Sequence, residues 1–137
     1  MFELQTKIKA INLSDTHIKT QGFLLNKNIV GIISYPLKKI EFWNIVKYKF
    51  IYITDKTIDG TISIDCNIIN LKDDSIIIGN MNGALKFSFK KRSIVKEYNF
   101  SIDKFYQMND VIYIIKHNYI SKFDLLSEKY SRIASTN

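Results

Sequence analysis

An all-β fold is predicted by three features of the 137-residue sequence. There are 25 Ile and 17 Phe plus Tyr against three Ala, and branched and aromatic side chains suit a pleated surface better than a helix. Apolar residues recur with period two over short stretches, as half-buried strands require. Turn residues punctuate those stretches at short intervals, and no stretch carries a helical period. Hydrophobic residues at 46% and charged residues at 24% are ordinary for a globular chain, and the length suits a single domain, residues 1–137.

The expected strands follow in order. Ile8–Leu13 comes first, within an N-terminal segment 4–13, and ends in the turn-like Ser14-Asp15-Thr16. Gly22–Leu25 is next, then the apolar run Ile29–Ile33, which Pro36 ends because it offers no ladder donor. Lys39–Trp43 alternates, and Tyr48–Ile53 precedes the turn at Thr54-Asp55-Lys56. Thr61–Ile68 alternates after Asp59-Gly60, and its alternation puts Cys66 on an apolar face as a core residue. After the turn at Asp73-Asp74, Ser75–Gly79 reads as a fully buried strand. Asn82-Gly83 is a hairpin signal leading into Leu85–Phe89. Beyond the polar turn Lys90-Lys91-Arg92-Ser93, strands recur at Ile94–Tyr98, Phe105-Tyr106, Val111–Ile115, Tyr119–Leu125 and Tyr130–Ala134.

Three segments within this series repeat: 28–45, 75–89 and 110–125. Each is an apolar strand, a polar turn, an alternating strand, then an aromatic followed by a small polar residue. The aromatics Trp43, Phe87 and Phe123 stand 44 and 36 residues apart. With one strand before and one after, each unit holds four strands, and short meandering strands at a period near 40 mark a β-propeller blade. The expected architecture is a partial β-propeller of about three four-stranded antiparallel blades, spanning roughly residues 15–55, 61–100 and 101–135. The alternative is a β-sandwich or barrel with similar hairpins.

The units resemble degenerate WD-repeat blades. Ile120-Ser121-Lys122-Phe123-Asp124-Leu125 resembles the family's third-strand ending, with Phe-Asp in place of Trp-Asp. Trp43-Asn44-Ile45 and Phe87-Ser88-Phe89 fill the same slot, and Gly79-Asn80-Met81-Asn82-Gly83 resembles the family's second hairpin. No unit carries Trp-Asp itself, and no Gly-His pair opens a blade. The resemblance implies a scaffold for protein–protein interaction whose second-hairpin turns share one docking face. Carried over, the candidate partner-binding residues are Tyr35, Pro36, Leu37 and Lys38, then Met81 and Asn82, then His117, Asn118 and Tyr119. Tyr35 and Tyr119 are the expected exposed anchors. Segment 4–13 corresponds to the strand that closes the last blade of such a ring.

Closed propellers need about four to eight blades, so about three leave two faces unpacked. The chain is expected to pair with itself, to complete a propeller with a protein partner, or to be part of something longer.

The net charge of +7 rests on 18 Lys and only two Arg, Arg92 and Arg132. That favours a solvated surface over dedicated phosphate recognition, which leans on Arg. The second functional reading is a small basic β protein on RNA or a ribonucleoprotein surface, with Lys86, Lys90, Lys91 and Arg92 as candidate polyanion contacts. Chemistry is sparse. His17 and His117 lie far apart, and the glycines form no phosphate loop. No catalytic residue, cofactor or metal is expected, and the chain is read as non-enzymatic. With one Cys, no long apolar run and no leader-like start, the expected setting is cytoplasmic or nuclear, away from membranes.

Overall fold

The computed structural model describes residues 19–35, 37–55 and 66–135. The segment 4–13, His17, Pro36 and the first part of the Thr61–Ile68 strand lie outside those residues. Among the described residues twelve strands follow one another, and every hydrogen-bonded neighbour is also a neighbour in sequence. Blade 1 holds β1 (Lys19–Asn26), β2 (Ile29–Tyr35), β3 (Lys39–Asn44) and β4 (Lys49–Ile53). Blade 2 holds β5 (Asn67–Asn70), β6 (Ser75–Asn80), β7 (Gly83–Ser88) and β8 (Ser93–Tyr98). Blade 3 holds β9 (Lys104–Met108), β10 (Val111–Ile115), β11 (Tyr119–Asp124) and β12 (Tyr130–Ser135). Among the described residues all pairings are antiparallel, no sheet closes into a barrel and there is no helix. The expected all-β architecture of three four-stranded blades is present, in a partial propeller-like arrangement.

The blades stack in series through two apolar layers. Ile33, Ile40 and Phe42 of blade 1 meet Ile76, Ile78, Leu85 and Phe87 of blade 2. Ile69, Ile77 and Ala84 of blade 2 meet Ile112, Ile114 and Phe123 of blade 3, with Phe100 and Ile102 from the connecting segment. Blade 2 is therefore covered on both faces, which explains why every residue of β6 is buried and why Ser-Ile-Ile-Ile-Gly is continuous rather than alternating. In β10 only Ile112 and Ile114 are buried, and the strand alternates because one face alone is covered. The fourth strands β8 and β12 are almost wholly exposed; Lys96 and Arg132 put charge on them, which discourages edge pairing.

Two glycines permit close approaches within these layers. A Cβ on Gly31 would lie 2.2 Å from the Phe23 ring. A Cβ on Gly79 would lie 2.9 Å from Cβ of Ile102, the fully buried residue of the link between blades 2 and 3. The Ile102 amide donates to the Asn80 carbonyl at 2.9 Å, fixing that link on β6.

One turn differs from its expectation. The hairpin joining β6 and β7 turns at Met81-Asn82, with Asn80 paired to Gly83. Asn82 is not among the left-handed residues; instead its amide donates to Asn80 Oδ1 at 2.8 Å. The Asn80 side chain makes the turn, and Gly83 opens the next strand.

Candidate functional site

The small polar residue after each aromatic anchor builds the loop between the third and fourth strands. Asn44 Oδ1 accepts the amides of Val46 at 3.0 Å and Lys47 at 2.9 Å. Asp124 Oδ1 accepts those of Leu126 and Ser127, both at 2.9 Å. Ser88 Oγ accepts that of Lys91 at 3.2 Å. Four residues after each polar residue stands a left-handed one, Tyr48, Arg92 and Glu128, with φ of 55°, 56° and 56°. The loops are thus built alike although their sequences differ.

The left-handed residues of blades 2 and 3 reach back onto the preceding blade. The Arg92 guanidinium lies 4.3 Å from the ring centroid of Tyr52, whose hydroxyl donates to the Phe89 carbonyl at 2.8 Å. Glu128 takes the Tyr98 hydroxyl and lies 3.4 Å from Lys86 Nζ and 3.8 Å from Lys96 Nζ. Lys86 is also 3.7 Å from Asp73, which accepts the Ser75 hydroxyl. Burial pushes the Glu128 carboxyl up, but the Tyr98 hydroxyl and the Lys86 and Lys96 ammoniums outweigh it and hold the carboxyl below its ordinary 4.5. The Ser75 hydroxyl is the largest influence holding Asp73 below its ordinary 3.8. Burial, then the bond to Glu128, raises the Tyr98 phenol.

This network relocates two candidate polyanion contacts. The Lys86 side chain is only 16% exposed and is committed to the seam between blades 2 and 3. Arg92 is spread over Tyr52. Lys90 and Lys91 are exposed, on a loop at the end of blade 2 away from the second-hairpin turns. The two groups of candidate residues therefore occupy opposite ends of the blades.

At the turn end the candidates divide. Tyr35 is 7% exposed, and its hydroxyl lies 3.1 Å from the Cys66 thiol; this residue, expected as an exposed anchor, is a core residue of the seam between blades 1 and 2. The reason is its place in β2, on the face shared with Ile33. Cys66 is buried, as its alternating pattern predicts. Tyr119 is half-buried beneath the Arg132 guanidinium, 3.8 Å above its ring. Leu37, Met81, Asn82, His117 and Asn118 are exposed, and Lys38 adopts a left-handed φ of 54° with its amide donating to the Ser34 carbonyl at 2.8 Å. Met81, Asn82 and Gly83 border a shallow cavity of about 390 Å³ shared with Tyr98, Asn99, Phe100 and Ser101. Lys116 Nζ donates to the Ser101 carbonyl at 2.8 Å and to its hydroxyl, tying the neighbouring turn to that rim.

The face of blade 3 turned away from blade 2 is one of the two end faces that a three-blade count leaves unpacked. Register places Met108 opposite Val111, Tyr106 opposite Tyr113 and Lys104 opposite Ile115, and on the other side of β10 Lys122 opposite Tyr113 and Ile120 opposite Ile115. Directly opposed residues share a face, so these side chains lie together. Tyr106 is 70% and Met108 65% exposed. The corresponding outward face of blade 1 carries a small buried cluster of Ile32 and Trp43, flanked by Val30 and Ile45. The signal for the blade 3 face was present in the sequence, where β9 and β10 are apolar on both sides.

No protein-family model matches the chain, and no curated protein matches it. Among solved structures it is similar to one described as "KlHsv2 with loop 6CD replaced by a Gly-Ser linker", at 11% identity and a TM-score of 0.49. The match covers 85% of this chain and 39% of that one, so the chain spans about two fifths of that structure's length. No described helix is long and apolar enough to cross a membrane.

Proposed function

We propose that the chain is a non-enzymatic protein–protein interaction scaffold, built of WD-repeat-like blades, that completes its blade stack by associating with another chain. The observation that carries this reading is the outward face of blade 3. Tyr106 and Met108 stand exposed beside Val111, Tyr113, Ile115 and Ile120, on a sheet whose counterpart faces elsewhere in the molecule are covered by the next blade. Tyr and Met are enriched where interfaces form, and large contiguous apolar patches mark binding sites. The exposed residues at the turn end, with Met81 and Asn82 at the cavity rim, supply a second, smaller docking surface in the same scaffold.

Light scattering on a gel-filtration column tests the proposal, with the chain compared against its Tyr106→Lys, Met108→Lys variant. The expected result is concentration-dependent association of the unaltered chain and a sharp monomer for the variant, with matching circular dichroism. Two identical sharp monomer peaks would count decisively against a docking role for this face.

A further inference from the structure

The two end faces of the stack are the two unlike halves of its internal seams. In both seams the anchor aromatic of one blade packs against the blade before it. Phe87 of blade 2 lies among Ile33, Ile40 and Phe42 of blade 1, and Phe123 of blade 3 lies among Ile69, Ile77 and Ala84 of blade 2. Trp43 fills the same slot in blade 1, and it sits with Ile32 on the face turned away from blade 2. Register adds Val30 opposite Trp43 and Leu24 opposite Val30, then Phe50 opposite Trp43 and Ile53 opposite Glu41. Leu24, Phe50 and Ile53 are all exposed, so a rim of open apolar area surrounds the buried Ile32 and Trp43. Blade 3 ends the stack with the other half. Its open face is the kind on which blade 1 holds Phe87 and blade 2 holds Phe123.

The loops between third and fourth strands follow the same rule. Arg92 lies over Tyr52, whose register partner Phe42 precedes the anchor Trp43. Glu128 lies beside Lys86 and Lys96, themselves register partners, and Lys86 precedes the anchor Phe87. In both loops the left-handed residue thus comes down beside the residue before the preceding blade's anchor. In blade 3 that residue is the exposed Lys122, partnered by Ser131. In blade 1 the left-handed residue is Tyr48, also exposed. A Tyr48 ring on Lys122 is the Arg92–Tyr52 pair with the two sides exchanged. Asp124 lies on the same face two residues from Lys122, so the ammonium keeps a counter-charge when it is covered. Lys47 and Lys49, which flank Tyr48, have counterparts in Lys91 and Lys129, exposed beside Arg92 and Glu128 at seams that form. Neither face is of one sign: blade 1 carries Lys39 with Glu41, and blade 3 carries Lys104 and Lys122 with Asp124.

Resting on the scaffold reading, we propose that the partner is a second copy of this chain, docked head to tail. The Trp43 face of each copy covers the open blade 3 face of the other, with Tyr48 over Lys122. Leu24, Phe50 and Ile53 bring apolar contact to Tyr106, Met108, Tyr113 and Ile120. Two copies related by a two-fold axis form this seam twice. Three blades from each copy make six, within the about four to eight at which propellers close. Two blade 3 faces set against each other would pair like halves and leave both Trp43 faces uncovered.

Complementation between two blocked variants tests the pairing, by light scattering on a gel-filtration column. One variant carries Tyr106→Lys and Met108→Lys on blade 3. The other carries Leu24→Lys and Ile53→Lys on blade 1, where both side chains are exposed and Phe50 keeps its contact with Trp43. The unaltered chain should reach twice the monomer mass and grow no further as concentration rises. Each variant alone should run as a monomer. Mixed well above the concentration at which the unaltered chain associates, they should recover a particle of two chains, because each supplies the face that the other lacks. Recovery of that particle also shows that both variants are folded. Matching circular dichroism establishes the same for a mixture that fails, with Leu24→Lys alone replacing the pair if blade 1 is unsettled. A blade 1 variant that still dimerises by itself overturns the proposal, since blade 3 then pairs with blade 3. A mixture of folded variants that stays monomeric overturns it too, as do particles larger than two chains. Failure of the scaffold reading looks different: the unaltered chain would then run as a monomer like its blade 3 variant, before any mixing.

Discussion

Gly79 shows how much of the seam between blades 2 and 3 depends on the absence of one atom. A Gly79 Cβ would lie 2.9 Å from Cβ of Ile102, which is held there by the hydrogen bond from its amide to the Asn80 carbonyl. Gly79→Ala is expected to lower stability by about 1–3 kcal/mol, the usual cost of overpacking, measured by urea unfolding. At the same seam, Glu128 is mostly shielded and meets two ammoniums and a phenol. Glu128→Gln should cost about 1 kcal/mol at neutral pH. The pH dependence follows from the sign of the shifts. Glu128 and Asp73 are both held below their ordinary values of 4.5 and 3.8, so near those values the unfolded chain binds more protons than the folded one. Their contribution is complete above the ordinary values and is lost as pH falls through the lowered folded ones. The stability gap between the unaltered chain and Glu128→Gln should therefore be constant near neutrality and close on acidification, in urea titrations run at a series of pH values. A gap independent of pH would show that the carboxylate's charge is not what stabilises the seam.

At the scale of the element, the loop between third and fourth strands was half legible. The aromatic-then-polar pairs Trp43-Asn44, Phe87-Ser88 and Phe123-Asp124 mark the loop correctly, because a short polar side chain is what satisfies the loop amides. The left-handed position four residues later went unread, since Tyr48, Arg92 and Glu128 share no chemistry and non-glycine residues there usually signal strain. Asn44→Ala should cost about 1 kcal/mol by orphaning the Val46 and Lys47 amides. Tyr48→Gly should be neutral or stabilising by up to about 1 kcal/mol, because the exposed ring gives up little packing while the left-handed penalty disappears. Thermal unfolding of the two variants distinguishes these outcomes by sign.

For the whole molecule, serial stacking sets the order of local stabilities. Nearest-neighbour contacts dominate such arrays, so the blade covered on both sides should open last. Amide exchange is expected to be slowest in β6, whose residues are all buried, and faster in β9, which is mostly exposed. Uniform protection across the three blades would contradict stacking as the source of stability. The open face of blade 3 belongs to this scale too, because it exists only as the end of the stack.

The fold was largely readable from sequence because period-two alternation, turn residues and a repeat near 40 residues are local quantities that each strand must satisfy on its own. Ser75–Gly79 announced a strand buried on both faces, and Cys66 announced itself as core. What only the tertiary structure decided is which polar and aromatic groups meet across a seam. Tyr35 looked like an anchor at a hairpin tip, yet blade 2 packs over it and brings the Cys66 thiol to its hydroxyl. Lys86 looked like one of a cluster of basic side chains, yet Glu128, 42 residues further on, neutralises it at the seam. Local pattern dictates the direction in which a side chain points; its partner is fixed by how neighbouring sheets are set against one another, and no spacing along the chain encodes that.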